Sequence, residues 1–349
     1  MTRRFDPISI RSLTDLQRHM RTEEEAQRLF EWLRWPEGRV CPFCGSGEHW
    51  ALTARRAGLY ECRGCGRQFS ATAGTPLHGT KLPIATWIQA AFLIVSSSKG
   101  MSSPALARHL GITQRSAWKV GHAIRLLMNP AAGDAKLSGI VEADDIADGG
   151  KASRRNRAKY GEKTAKFIYN APGRGSGKKR ILVAVERGGR VRAAEMADGS
   201  ASTVGPLVRE MVAPEAHLMT DGDRALIAAG KDQAAHASVS HSQKEYVRGD
   251  AHVNTAEAFN LFLRRAKMGV WHVWSNEHLR RYLTELQFHW DHRPIPKGSG
   301  KRRELVAVPS IILMRILFSR GHGRELRRTK SGSVAEPSSP PGKPAPKTH

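Results

Sequence analysis

The sequence predicts a multidomain α/β protein: N-terminal helices, a metal-binding ribbon, a helix-turn-helix, and then a mixed-sheet domain. Three observations predict it. Four cysteines stand as two CxxC pairs, Cys41/Cys44 and Cys62/Cys65, and none lies elsewhere in the 349 residues. Helical periodicity runs to about residue 128, and from Gly139 it gives way to short β-like runs. Those runs then alternate with helical stretches as far as about residue 292. The implied divisions are a helical segment (1–35), the ribbon (36–80), the helix-turn-helix region (81–130), the mixed-sheet domain (138–293) and a basic, largely disordered extension (294–349).

Charge narrows the partner before any motif is considered. Lys and Arg number 56 against 32 Asp and Glu, a formal net charge of +24. Such an excess is costly in self-repulsion and calls for a polyanion, with nucleic acid first. An anionic membrane surface fits less well, because no long apolar run or basic amphipathic stretch supports it. The opening "MTRRFDPISIRSLTDL" has no apolar stretch of the secretory kind. Clustered rather than scattered cysteines suit a metal site in a reducing compartment. The expected location is the cytoplasm, at the nucleoid.

Leu16, Met20, Leu29, Phe30 and Leu33 mark residues 13–35 as helical. In the ribbon, "CPFCG" and "CRGCG" are separated by 17 residues. Each knuckle offers two thiolates on a tight turn, and Gly45 and Gly66 let the backbone curl so that four sulfurs meet one ion. Four thiolates suit tetrahedral Zn²⁺ with no open position, a structural site. A redox dithiol would need only one CxxC, at a helix N-terminus.

"IATWIQAAFLIVSS" (84–97) reads as an apolar helix, and "SSPALARHLGITQRSAWKVGHAIRLLM" (102–128) as two helices turning at Gly111. The small and apolar residues Ala107, Leu110, Ile112 and Ala117 let the pair cross closely. The second helix, about Gln114 to Leu126, would lie in a DNA major groove with Gln114, Arg115 and Lys119 near its exposed start. An ordinary helical hairpin fits the same pattern, but the charge and the ribbon favour DNA.

"GIVEAD" (139–144), "RILVAVE" (180–186) and "RVRAAEM" (190–196) follow as strands, the last two joined at Gly188–Gly189 as a hairpin. Next come a helix (203–212), a run into "HLMTDGD", a short helix, a weak strand "ASVSH" (237–241), and helices over 254–268 and 276–292. Residues 151–179 are basic and Gly-rich and are expected to form a mobile loop.

Three acidic residues stand on this framework. Asp144 ends the first strand, Asp221 ends the fourth, and Glu257 lies one turn into a helix. The order β-β-β-α-β-α-β-α, with first and fourth strands adjacent, is that of a ribonuclease H-like fold. Parallel neighbours place their C-terminal ends together, so Asp144 and Asp221 could share an ion while the helix supplies Glu257. Clustered carboxylates in a basic protein need compensation, which two Mg²⁺ or Mn²⁺ ions would provide. Such ions could activate water or a DNA 3′-hydroxyl for in-line displacement at phosphorus. Each acid alone has a plainer reading. Asp144–Asp145 before glycines suits a turn, Asp221-Gly222-Asp223 suits a β-turn, and Asn254 with Glu257 suits a helix cap.

Taken together, "FEWLRWPEGRVCPFCG", "YECRGCGRQFSATAGTPLHGTKLP", the helix-turn-helix, "VEADD", "TDGDRAL" and "HVNTAEAFNLFLRRAKMGVWHVWSNEHLRRYLTELQFHWDHR" resemble bacterial insertion-sequence transposases that join a zinc ribbon to an ISXO-type DDE domain. The resemblance spans about Leu13 to Arg293. It implies binding of double-stranded DNA at transposon ends, cleavage and strand transfer by a homodimer or larger assembly, with Asp144, Asp221 and Glu257 as metal ligands. The chain departs from the family in having Asp145-Ile146-Ala147 where Glu-Thr-Tyr is usual, and Arg264, a phosphate-binding candidate, where Lys is common. Asn254 is the second choice for the third ligand, and His241 and His252 are read as structural. The rival readings are a DNA-binding protein derived from a transposase that has lost catalysis, and a nuclease on the same fold.

Overall fold

The structure is a computed structural model, and it describes residues 5–54, 57–130, 134–149, 178–239, 247–297 and 304–324, with isolated positions at 158–159, 161, 245, 326–328 and 334–335. The expected mobile loop at 151–179 falls almost wholly outside the described residues, as does His241. The chain divides into two compact units, Met1–Ala131 with His292–His349, and Ala132–Asp291.

In the first unit, α1 (Leu13–Arg18) and α2 (Glu23–Arg34) each start with a capping box, Ser12 with Asp15 and Thr22 with Glu25. These boxes satisfy orphan N–H groups where both helices begin. A three-stranded antiparallel ribbon follows, in the order β1 (His49–Ala51), β2 (Leu59–Cys62), β3 (Gln68–Ser70). The apolar helix α3 (Ile84–Ser96) precedes α4 (Ser103–Leu110) and α5 (Gln114–Leu127). Gly111 closes α4 at φ +64°, a left-handed conformation that glycine adopts without strain.

The second unit is a five-stranded mixed sheet. Its strands are β4 (Ile140–Asp148), β5 (Lys179–Glu186), β6 (Val191–Met196), β7 (His217–Thr220) and β8 (Ala235–Ser238). The spatial order is β6-β5-β4-β7-β8, with β4 antiparallel to β5 and parallel to β7. First and fourth strands are therefore neighbours, the ribonuclease H-like arrangement. Helices α6 (Ala201–Met211) and α7 (Arg224–Gly230) cover the face carrying Val141, Ala143, Leu182 and Leu218. On the opposite face, α8 (Asn254–Ala266) and α9 (Leu279–Asp291) pack on Ile146, Ile181, Val183 and Val191. Alternation along β4 thus puts Glu142, Asp144 and Asp148 on the α8 face and Asp145 on the other.

Two local expectations need correcting. Asp144 does not end its strand: β4 continues to Asp148, paired with β5 throughout. Further along, Ser310–Ser319, expected within a largely disordered extension, is a helix, α10. Its run "SIILMRILFS" buries Ile311, Met314, Leu317 and Phe318 in the first unit, with the Phe318 ring edge-on to Phe30 at 5.1 Å. Apolar burial outweighs the basic, proline-rich surroundings of that segment. Residues 336–349 lie outside the described residues.

Candidate metal ribbon and carboxylate site

The two cysteine knuckles are built alike. Gly45 N–H donates to the Cys41 carbonyl and Gly66 N–H to the Cys62 carbonyl, both at 2.9 Å, with φ of +78° and +67° at the glycines. These turns bring the four sulfurs within 4.8 Å of one another. Cys41 Sγ lies 3.8 Å from Cys65 Sγ, and Cys44 Sγ lies 3.4 Å from Cys62 Sγ. A tetrahedral ion with Zn–S bonds of about 2.3 Å would separate its sulfurs by about 3.8 Å. The set fits zinc. Burial pushes the Cys41 thiol up to about 12, whereas hydrogen bonds from neighbouring backbone N–H groups and thiols outweigh burial at Cys62 and bring it down to about 7. Behind the site, Trp35 packs edge to face on both Tyr60 and Phe69, with the Arg39 guanidinium 4.0 Å from the Tyr60 ring centre.

In the helix-turn-helix, Thr113 caps α5 by accepting from Ser116 N–H at 3.2 Å. Ala117, Val120 and Ile124 are buried against the rest of the unit. Gln114, Arg115 and Lys119 are exposed on the first turns, free to meet another surface.

The carboxylate site follows from strand register. Ala143 pairs with Thr220 at the end of the parallel ladder, so Asp144 and Asp221 are the next residues on adjacent strands. Asp144 remains in the β4–β5 ladder opposite Val183, which holds its backbone rigid. Beyond β7 the chain turns at once: Asp221 Oδ1 accepts from Asp223 N–H at 3.0 Å, and Asp223 caps α7 through Ala225 N–H at 2.8 Å. The turn is closed by the Asp221 side chain, an Asx-type turn rather than the backbone-bonded β-turn read from the sequence, and Asp221 follows β7 at the register position beside Asp144.

Three acids share the α8 face of β4, and their surroundings differ. Glu142 is wholly buried, yet Arg187 Nε donates to it at 2.6 Å, and so do Thr255 N–H at 2.5 Å and Ala256 N–H at 3.1 Å. It thereby caps α8, whose cap position holds Val253, a residue with no capping side chain. The cap expected of Asn254 is supplied from the sheet instead. Asp148 accepts from Lys267 Nζ at 2.5 Å and Trp274 Nε1 at 2.7 Å. Between them, Asp144 has only uncharged donors among the described residues: Asn260 Nδ2 at 2.8 Å and Asp145 N–H at 2.8 Å.

The electrostatics follow from that contrast. Burial first, then the Asp221 charge, with further repulsion from Asp145 and Glu257, pushes the Asp144 carboxyl up to about 7. On the other face, burial also raises Asp145, opposed by the Arg180 guanidinium bonded to it. Glu257 is exposed on the first turn of α8, and Arg264 is exposed two turns further on. The three predicted carboxylates therefore feel one another, but among the described residues only the four cysteines lie close enough to share an ion as they stand. His252 Nδ1 lies 3.2 Å from Glu142, on the structural side of the network. Asn260 and Glu142 were not picked out from sequence, because each acts through a partner more than a hundred residues away.

Comparison with known proteins gives independent results. Residues 136–291 match the ISXO2-like transposase domain family, and residues 21–68 match the transposase zinc-ribbon domain family. A relative described as an uncharacterized protein in transposable element ISH50 of Halobacterium salinarum is 25% identical over 256 residues, covering 70% of this chain and 83% of that protein. A chain of the simian T-cell lymphotropic virus intasome in complex with PP2A regulatory subunit B56 gamma is 15% identical, covering 70% of this chain and 95% of that one, with a TM-score of 0.26. So low a score carries no weight for fold or function. With both regions matched in the order the sequence predicted, this chain carries a transposase zinc ribbon followed by an ISXO2-like transposase domain.

Proposed function

We propose that the chain binds the terminal inverted repeats of its own insertion sequence and catalyses metal-dependent DNA cleavage and strand transfer. One observation carries this reading: a buried carboxylate, Asp144, beside Asp221, pushed up to about 7 and given no cation among the described residues. A fold does not bear that repulsion for stability, since Glu142 and Asp148 on the same strand face each have a cationic partner.

Asp144, Asp221 and Glu257 would hold Mg²⁺ or Mn²⁺, through the oxygen donors these hard ions take. Two such ions would supply Lewis acidity at the scissile phosphate and lower the pKa of an attacking water or 3′-hydroxyl. The ladder on either side of Asp144 fixes its carboxylate, and Glu142 anchors the first turn of α8, from which Glu257 extends. Arg264, on the Glu257 face of α8, would hold a DNA phosphate; its fork geometry differs from that of lysine. Gln114, Arg115 and Lys119 would meet the major groove. The ribbon, folded around one zinc, would support that unit. Cutting two element ends calls for a dimer or larger assembly, acting at the nucleoid in the cytoplasm. Among the described residues no helix is long and apolar enough to cross a membrane.

The test is a strand-transfer assay on a plasmid carrying the element's own ends, with Mn²⁺ or Mg²⁺. Asp221→Asn should abolish joining while leaving binding to those ends intact. Joining that persists in Asp221→Asn overturns the catalytic assignment. A chain that binds the ends but never joins them is the DNA-binding rival, and one that cuts branched DNA without joining is the nuclease rival.

A further inference from the structure

One of the two uncharged donors to Asp144 among the described residues, the Asn260 amide, leaves its oxygen unused. Asn260 is 7% exposed and sits one turn after Glu257 on α8. Its Nδ2 donates to Asp144 Oδ2 at 2.8 Å. Its Oδ1 is buried and accepts from nothing among the described residues. A buried amide oxygen left without a donor costs about 1–3 kcal/mol, so native folds seldom keep one unless something absent from the protein chain supplies the donor. The surroundings restrict what that donor is. Asp144, Asp221 and Glu257 load the site with negative charge, which excludes an anion and favours a hydrated cation.

We propose that Asn260 is a positioning residue of the cation site: Nδ2 orients the Asp144 carboxylate, and Oδ1 accepts a hydrogen bond from a water molecule carried by the cation that Asp144 binds. This rests on the reading of Asp144 and Asp221 as metal ligands. The residue type suits the task. An amide offers a donor and an acceptor about 2 Å apart on one rigid plane, so one group can grip a ligand and the ligand's water together. A carboxylate at 260 would add repulsion to Asp144, and a lysine would neutralise it and displace the cation.

Mg²⁺ keeps several of its waters when bound, whereas Ca²⁺ accepts more protein oxygens in a looser geometry. Losing an acceptor for metal-bound water should therefore harm Mg²⁺ more than Ca²⁺. The experiment uses the full-length protein and measures Mn²⁺ affinity by electron paramagnetic resonance, with Mg²⁺ and Ca²⁺ as competitors. Asn260→Leu, of similar size but apolar, is the main variant. Asn260→Ala replaces it should the leucine not be accommodated, and Asp144→Asn is the reference. The expected result is a Mn²⁺ affinity about 10- to 100-fold weaker in the Asn260 variant, with a relative preference shifted toward Ca²⁺ by fivefold or more. A structural role alone would weaken both competitors alike, and that result overturns the proposal. So does Mn²⁺ affinity within twofold of wild type in a folded Asn260 variant when Asp144→Asn abolishes binding. Mn²⁺ binding that survives Asp144→Asn undivided removes the metal reading itself, and the role of Asn260 with it.

Discussion

Replacing Asp144 with asparagine should make the metal-free protein more stable, although it removes the residue placed at the centre of the chemistry. An aspartate ordinarily ionises near 3.8, and in this fold Asp144 does so near 7. The folded state thus holds the proton more tightly than the unfolded chain. Its contribution is fully present below about pH 4 and fades as pH rises through 7, because above 4 the unfolded chain gains from releasing a proton the fold retains. The difference of about three pH units corresponds to ~4 kcal/mol at pH 8 and to almost nothing at pH 4. Asparagine keeps the acceptor for Asp145 N–H, and a turned Asn260 amide can present its unpartnered oxygen to the new NH₂. Calorimetry in EDTA would follow the unfolding of Ala132–Asp291 in wild type and Asp144→Asn from pH 4 to 8. The gap between them should open with pH, each kcal/mol moving Tm by about 2–4 °C in a unit of this size. Mn²⁺ at a hundred times its Kd should return ~2.7 kcal/mol to wild type at pH 8 and nothing to the variant. A variant equally destabilised at pH 4 and 8, or one stabilised by Mn²⁺ as wild type is, would refute the reasoning.

Other perturbations follow from contacts already described. Glu142→Ala takes the only carboxylate partner described for Arg187, leaving it the Asp250 and His252 carbonyls, and uncaps α8 at once; urea titration should show a loss of about 3–5 kcal/mol. Cys62→Ser, or a strong chelator, should release about one zinc per chain, and hydrogen exchange should rise over residues 41–70 while β4–β8 stay protected. Lys119→Ala should weaken DNA binding with little sequence preference and reduce the slope of log K against log salt by about 1 in a fluorescence titration. Arg324→Ala strips donors from the carbonyls of Leu126, Leu127, Asn129 and Pro130 at the end of α5, and should cost the first unit about 1.5–3 kcal/mol by thermal melting.

Much of the fold was legible because it was written in order and period. Strand and helix succession from Gly139 onward implied that β4 and β7 are neighbours, and neighbouring parallel strands place Asp144 beside Asp221 without further information. The cysteine spacing implied the sulfur cluster in the same way, since two tight turns on adjacent strands leave few other geometries. What escaped was long-range polar pairing. Glu142 reads as an ordinary strand residue, and only the fold shows its carboxylate under α8 in place of an N-cap side chain. Asn260 looks like a helix-surface amide until Asp144 is seen 2.8 Å away. The α10 helix was hidden by its neighbours: a ten-residue apolar segment carries little signal inside a stretch whose average composition is that of a tail.

That helix has a consequence for how the protein is made. Because α10 and Arg324 complete the core around α2, α3 and the end of α5, the sheet domain is an insertion within the first unit rather than a successor to it. On a ribosome, the residues from Ala132 to Asp291 are all present before the first unit has its last helix, so the sheet domain can finish folding first. A message broken anywhere between His292 and Ser310 would then yield a chain with a complete sheet domain and a first unit missing the five buried apolar side chains of this helix, worth ~8–15 kcal/mol.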